Sequence, residues 1–559
     1  MAPGRMSDVR PPERAPTPDA PAAPVPPLPP LHARQRAALW GLLALALALR
    51  VATVVTLEPK PLFYQPQVDA AVYDDWGWEI ASRSVLGHDV FYMDPLYAYF
   101  LGAYYKLRGH DLYGVRFVQV VLGTSGCLAL FLAGRRLLGT GAAFAALVLS
   151  ATYQPLIFYD TALTKDFLGA ALMSWVIFGV SVGVASGGWG AWLGTGVLLG
   201  LLGLVRGNAL LLLAAIAAGI VVHDRRRAPS ACAALVVGAA LAILPATLRN
   251  AWVAGDLVLT TAQLGPNMYT GNHPGNETGR YEWPSFIKTP SPKDEGPGFR
   301  QEAERRVGRP LEASEVDAFW RRETLAYVAA NPGTFLRTTG KRLAVLFNRF
   351  EIPDNYSLYV MTELSWVLRL PLANFGWVIG PLGLTGLLLG LREVRRLAWL
   401  YLVLGTYVAS IAVFFVFDRY RLPMIPPLVL FSALAIVELW RRLRRRELRA
   451  LAGWGLVLAV AVGLVQLPIE RMMNVGNFDS AAAYYNIATM YLKHGRCDLA
   501  LPALRRVPIE RPELDRSYGL HETIASCQMQ IGDREGALES FARAAELRRE
   551  TGVRPLPGS

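Results

Sequence analysis

The sequence predicts an all-α, polytopic transmembrane protein with an outward-facing loop domain and a helical-repeat tail. Three observations predict it. Apolar blocks of membrane-spanning length recur along the chain. Charged residues make up 18% of 559 residues, where a soluble chain carries about a quarter. Arginine clusters, at Arg135-Arg136, Arg225-Arg226-Arg227 and Arg441 to Arg446, fall between the apolar blocks, as cytoplasmic loops do under the positive-inside rule. That placement accounts for the net charge of +12. No aromatic-basic surface motif accompanies the runs, so nucleic acid is not an expected partner.

Residues 1–33 are rich in Pro and Ala, lack apolar periodicity and read as a disordered N-terminus. No short apolar stretch with a cleavage site precedes Arg34 and Arg36, so Ala37 to Leu57 reads as a retained first span. A membrane domain is expected over 34–470. By the ruler of about 20 apolar residues it holds about eleven spans or more. They lie near 37–57, 115–134, 139–157, 167–184, 189–205, 208–222, 231–248, 373–391, 397–417, 422–440 and 450–467. The fifth and sixth are short and are interrupted by Arg206-Gly207-Asn208. Arg342 to Phe350 is amphipathic and is expected to lie along the interface.

With the N-terminus in the cytoplasm, Arg135-Arg136, Arg225 to Arg227, Arg392 to Arg396 and Arg441 to Arg449 all stay inside. Three segments then face outward: Glu58 to Leu112, a large loop of about 249–370, and the turn Asp418 to Arg421. The expected location is the inner (plasma) membrane, multi-pass, with the site and the C-terminal tail on the extracytoplasmic side.

The tail, 478–550, follows tetratricopeptide spacing. One copy runs through Ala483-Tyr484-Tyr485, Ala488, Tyr491, Gly495, Ala500 and Pro512; a second runs through Ala525, Gly532, Ala537, Phe541 and Ala544. The Gly495 to Gly532 offset exceeds the usual period of about 34 residues, and two copies fall below the usual minimum of about three. The tail is therefore expected to lean on the membrane domain or on a protein partner; the plainer reading is a helical cap. Cys127, Cys232, Cys497 and Cys527 lie far apart without CxxC spacing, so no zinc or redox site is expected. Cys497 and Cys527 are open to pairing if the tail lies in an oxidising compartment. Asn276-Glu277-Thr278 is a formal N-glycosylation triplet in the large loop.

Candidate chemistry gathers in the outward segments. Asp69, in Val68-Asp69-Ala70-Ala71-Val72-Tyr73, opens a helical stretch just beyond the first span, where it either caps that helix or meets a lipid head group. At i,i+4 spacing Tyr73 shares its face. Tyr159-Asp160-Thr161-Ala162-Leu163-Thr164-Lys165-Asp166 is an outward turn. There Asp166 complements a helix dipole or serves the site, and Lys165 suits a phosphate. Arg206 and Arg249 stand at outward ends of spans, where cations often only anchor the interface. Arg419 and Arg421, in Asp418-Arg419-Tyr420-Arg421-Leu422-Pro423, break the positive-inside trend. Asp418 can pair with one of them, and a phosphate suits the other through paired donors.

These motifs resemble the GT-C glycosyltransferases, the superfamily of protein O-mannosyltransferases and lipid A aminoarabinose transferases. Asp69, Tyr73 and Ala81 match the family's first outward loop, while Ala70 stands where a second acid is usual. Asp94-Pro95-Leu96-Tyr97 resembles its Pro-Pro-Leu-Tyr segment. Arg249-Asn250, Gly255-Asp256, Asn267-Met268-Tyr269, Gly271-Asn272 and Gly279 resemble the start of its large loop, and Arg419 to Pro423 its late turn. The likeness runs over about residues 37 to 440.

The resemblance implies a GT-C-like membrane domain that transfers a sugar from a polyprenyl-phosphate donor to an extracytoplasmic protein, lipid or glycan by inverting displacement. It implies catalytic roles for Asp69, as base, and for Asp166 and Asp160. Tyr73, Lys165, Arg206, Arg249, Asn272, Arg419 and Arg421 become substrate-binding candidates. No metal ligand or cofactor is assigned; Ala70 in place of the paired acid puts a metal-dependent mechanism in doubt, and a divalent metal stays open. Two alternatives from other classes are a lipid or solute transporter or flippase, which Arg50 inside the first span would favour, and a non-catalytic envelope scaffold working through the tail.

Overall fold

The computed structural model describes residues 28–288, 292–469 and 480–550; the expected disordered N-terminus lies almost entirely outside the described residues. Within them the chain is helical, and the one β-type pairing is an isolated bridge between Tyr153 and Ala373.

The first span is α1 (Ala33–Leu57). At 1.5 Å per residue it is about 37 Å long, enough to cross about 30 Å of hydrocarbon. A short α2 (Pro61–Tyr64), then α3 (Asp69–Ser82) and α4 (Leu96–Arg108), build the first loop. The bundle continues with α5 (Gly114–Leu137), α6 (Thr140–Thr152), α7 (Gln154–Tyr159), α8 (Asp166–Ser186), α9 (Trp189–Gly203), α10 (Leu211–His223) and α11 (Ala228–Ala254). Pro155 sits in the first turn of α7 and splits the expected 139–157 span at Tyr153. The backbone amide of Gln154 is satisfied outside the helix, by Ala373 O at 2.8 Å.

Among the described residues, seven segments are long and apolar enough to cross a membrane, and three shorter apolar helices accompany them. One of the seven, Phe375–Ala412, has 38 residues, or about 57 Å of helix, nearly twice the hydrocarbon core. It breaks into α17 (Gly380–Gly390) and α18 (Val394–Ala412), and Tyr401 of α18 reaches back to donate to Leu387 O. The short α9 compensates for its length by close packing on α11: a Cβ at Gly196 would lie 2.1 Å from Leu235 O, so only glycine permits this approach.

Between α11 and α17 lie α12 (Leu264–Gly271), α13 (Pro292–Val307), α14 (Ala313–Ala330), α15 (Pro332–Leu346) and α16 (Leu358–Leu364). Tyr269, Ile287, Phe299 and Trp320 give this loop region its own aromatic core, and Trp320 Nε1 donates to Phe299 O at 3.0 Å. The C-terminal elements of the bundle are α19 (Asp418–Arg421), α20 (Ile425–Arg444) and α21 (Leu448–Val465).

Arg342, which opens the amphipathic segment, turns its side chain inward: it is buried and donates to Gly279 O, Asn272 Oδ1, Gly271 O and Ala412 O, tying α15 to the loop and to the end of α18. The Asn276 amide is buried and donates to Thr270 O and Arg280 O, so the glycosylation triplet is not an exposed one.

The arginine clusters share one end of the bundle. Arg392 and Arg442 both lie over Trp454, Trp192 and His223 both contact Trp399, and Arg227 abuts Gly187. The tail forms two helical hairpins, α22 (Ser480–Lys493) with α23 (Cys497–Glu510) and α24 (Tyr518–Ile531) with α25 (Arg534–Glu550). It rests on the opposite end, where Arg506 pairs with Glu363 at 3.0 Å and Gln65 bonds His494 at 2.9 Å. All four cysteines are free thiols.

Candidate active site

At the end remote from the arginine clusters, the first loop, the loop region and the α18–α20 turn enclose a cavity of about 1170 Å³. Val68 precedes α3 at φ 53° and ψ −127°, a conformation that a β-branched residue adopts only at a cost of about 1–3 kcal/mol. It swings Asp69 into the first turn of α3, facing the cavity. Short α19 brings Arg419 opposite: its Nη1 meets Asp69 Oδ2 at 2.7 Å and its Nη2 meets Asp354 Oδ2 at 2.5 Å. Lys165, immediately before α8, pairs with Asp94. Arg206, in extended backbone after α9, pairs with Asp166 and lies 4.6 Å from the Tyr420 ring.

Three cations thus meet four carboxyls, Asp69, Asp94, Asp166 and Asp354, so one negative charge is uncompensated if all ionise. Burial disfavours the Asp69 carboxylate, but the Arg419 charge and hydrogen bond outweigh it and hold Asp69 below the usual carboxylate range. The excess proton affinity falls on the loop carboxyls. Burial, opposed by Arg419 and assisted by the charges of Asp69 and Asp166, pushes Asp354 up to about 7. Burial and the Asp69 charge push Glu295 up to about 8, although the Tyr281 hydroxyl donates to it. The buried Nε donors of Arg206 and Arg419 find no acceptor among the described residues. Two such guanidinium edges beside an open cavity suit an anion. Among the described residues no group of three His, Cys, Asp or Glu side chains is arranged to hold a metal ion.

Of the expected residues, Asp69, Lys165, Arg206 and Arg419 line the cavity. Asp166 lies beneath it, fully buried and holding Arg206. Tyr73 is buried with its hydroxyl 3.3 Å from Asp94 O, supporting that loop. Asp160 points away, into the bundle, and pairs with Arg50 Nε at 2.5 Å. Arg249 ties down the first loop through Leu86 O and Asp89 O. Asn272 is bound by Arg342 and Val413 O, and Arg421 by Glu351 at 2.9 Å. None of these last five lines the cavity. Asp354, Glu295, Tyr281 and Asp94 do, and were not singled out as site residues. Asp94 has a signal, as the acid in the Asp-Pro-Leu-Tyr segment; the others come from the large loop, where no motif marks them.

Residues 93–249 match the family model described as dolichyl-phosphate-mannose-protein mannosyltransferase. No curated protein matches the chain. Among solved structures, the archaeal oligosaccharyltransferase AglB from Archaeoglobus fulgidus, in complex with an inhibitory peptide and a dolichol-phosphate, is similar at 14% identity and TM-score 0.43. That match covers 82% of this chain and 58% of AglB, so the chain spans little more than half of that protein. ArnT from Cupriavidus metallidurans, bound to undecaprenyl phosphate, is similar at 15% identity and TM-score 0.44, over 93% of this chain and 78% of ArnT. The matched stretch, residues 93–249, holds Asp94, Lys165, Asp166 and Arg206.

Proposed function

We propose that the chain transfers a sugar from a polyprenyl-phosphate donor to an extracytoplasmic acceptor, with Asp69 as base and Arg419, Lys165 and Arg206 at the donor phosphate. The observation that carries this reading is the Asp69–Arg419 pair in a cavity of about 1170 Å³, at the end opposite the arginine clusters. The positive-inside rule supports reading that end as the extracytoplasmic one, with the chain in the inner membrane. The family match supports a lipid-phosphate-linked donor.

The chemistry follows from the charges. A leaving phosphate is already a stable anion, so it needs cations rather than a general acid, and guanidinium edges supply paired donors. The acceptor hydroxyl or amine needs a base in line with the anomeric carbon on the face away from the phosphate, which inverts that centre. Asp69 is ionised and faces the cavity. Asp94 and Asp166 position Lys165 and Arg206. The tail, read as tetratricopeptide-like, offers a docking place for a protein partner. Arg50 would favour a transporter, but it is closed against Asp160, and the adjoining cavity of about 10 Å³ is too small for a solute.

The test compares cells carrying the wild type, Asp69→Asn and no chain, by mass spectrometry of polyprenyl-phosphate sugars and envelope glycoconjugates. Asn keeps the shape and removes the basicity, so transfer should fall by about 10²-fold or more. Near-normal transfer by folded Asp69→Asn removes Asp69 as base. Identical glycoconjugates with and without the chain remove the function.

A further inference from the structure

Arg419 has two hydrogen-bonding edges. In the structure both Nη atoms are engaged by carboxylates from different elements, Asp69 on α3 and Asp354 on the 347–357 segment, while the buried Nε finds no acceptor among the described residues. A phosphate taking Arg419 through paired donors needs two adjacent N–H groups. Nε and the neighbouring Nη2 form such a pair, and Nη2 is the atom that Asp354 holds, so Asp354 competes with a phosphate for that edge.

We propose that Asp354 is the exchangeable counter-ion of Arg419, a positioning residue that the donor phosphate displaces, so that donor binding and release of Asp354 are one event. This rests on the reading that a lipid phosphate binds Arg419.

Geometry favours Asp354 as the one displaced. Asp69 is anchored in the first turn of a 14-residue helix, while Asp354 sits in irregular backbone between α15 and α16. Both line the cavity. Electrostatics agrees. Asp354 faces Arg419, Asp69 and Asp166, and it in turn bears on Glu295, Asp418, Tyr281 and Tyr420. With one cation among so many acids, its carboxyl is pushed up to about 7 and takes a proton readily. Once neutral, it no longer competes for the guanidinium.

The sign is therefore defined. Raising the pH from 6 to 8 ionises Asp354 and strengthens the competitor. For a group titrating at about 7, the neutral fraction falls from about nine-tenths to about one-tenth, and apparent affinity falls with it by about tenfold. The phosphate's own ionisation acts equally on wild type and variant, so their ratio isolates Asp354.

The experiment uses the full chain in nanodiscs, titrated with undecaprenyl phosphate at pH 6 and pH 8 and read by tryptophan fluorescence, since Trp283 lines the cavity. Asp354→Asn should bind about tenfold more tightly than wild type at pH 8 and about equally at pH 6, while Asp354→Glu keeps the wild-type pH slope. If Asp354→Asn does not fold, Asp354→Ser carries the same expectation. A neutral variant that binds like wild type at both pH values, or more weakly at pH 8, overturns the displacement and leaves the proposed function standing. Wild type that binds no undecaprenyl phosphate at either pH overturns both.

Discussion

Asp160 was expected at the site, yet it faces Arg50, and the two roles predict different outcomes. Both side chains are essentially fully buried, with Arg50 Nε 2.5 Å from Asp160 Oδ2 and Arg50 Nη1 donating to Ala46 O at 3.0 Å. Asp160→Asn strands a guanidinium inside the bundle without its counter-ion, which costs about 3–5 kcal/mol, and Arg50→Met strands the carboxylate at a similar cost. The double variant Arg50→Met/Asp160→Leu removes both charges. Apolar replacement of a buried pair is often neutral or stabilising, so the double variant should return to within about 1–2 kcal/mol of wild type. Size-exclusion profiles and melting temperatures in detergent read the folding, and transfer per folded molecule reads the chemistry. The reasoning is refuted if both single variants fold like wild type while the folded double variant has lost transfer by about 10²-fold or more, since Asp160 would then be acting chemically.

Two further perturbations probe the loop region. Arg342→Met leaves Gly271 O, Gly279 O, Asn272 Oδ1 and Ala412 O without their shared donor; a cost of about 2–4 kcal/mol should appear as faster amide hydrogen exchange over 271–283, and unchanged exchange would count against the strut. Glu295 keeps its proton in the folded state up to about pH 8, whereas unfolded it titrates near 4.5. The folded state therefore holds more protons between those values, and stability falls as pH rises through that window. Glu295→Gln should flatten the dependence and raise the melting temperature at pH 8; an unaltered pH profile would show that Glu295 does not titrate there.

The helical class and its apolar blocks were legible because a bilayer imposes a length and a composition on each span, and both are local properties of the chain. Each expected block is helical, although the 139–157 block breaks at Tyr153 and 189–205 is a shorter helix than the ruler asks for. Glycine faces, invisible to hydropathy, explain how the short α9 is held. The clustering of arginines at one end was likewise readable from order along the sequence.

The site was legible only in part. Asp69, Lys165, Arg206 and Arg419 could be named because charge beside an apolar block is expensive and so stands out. Which charge meets which could not. Arg421, two residues from Arg419, turns away to Glu351, because residues two apart on a helix point to nearly opposite sides of it. Asp354 and Glu295 lie 285 and 226 residues from Asp69 in the chain, and no local pattern marks a loop acid as different from any other. The sequence by itself determined a membrane-embedded helical chain with its cations sorted by end. Only the tertiary structure decided that three acids from distant elements share one cavity with Arg419, because burial and mutual repulsion, which set their protonation, exist only once the chain has folded.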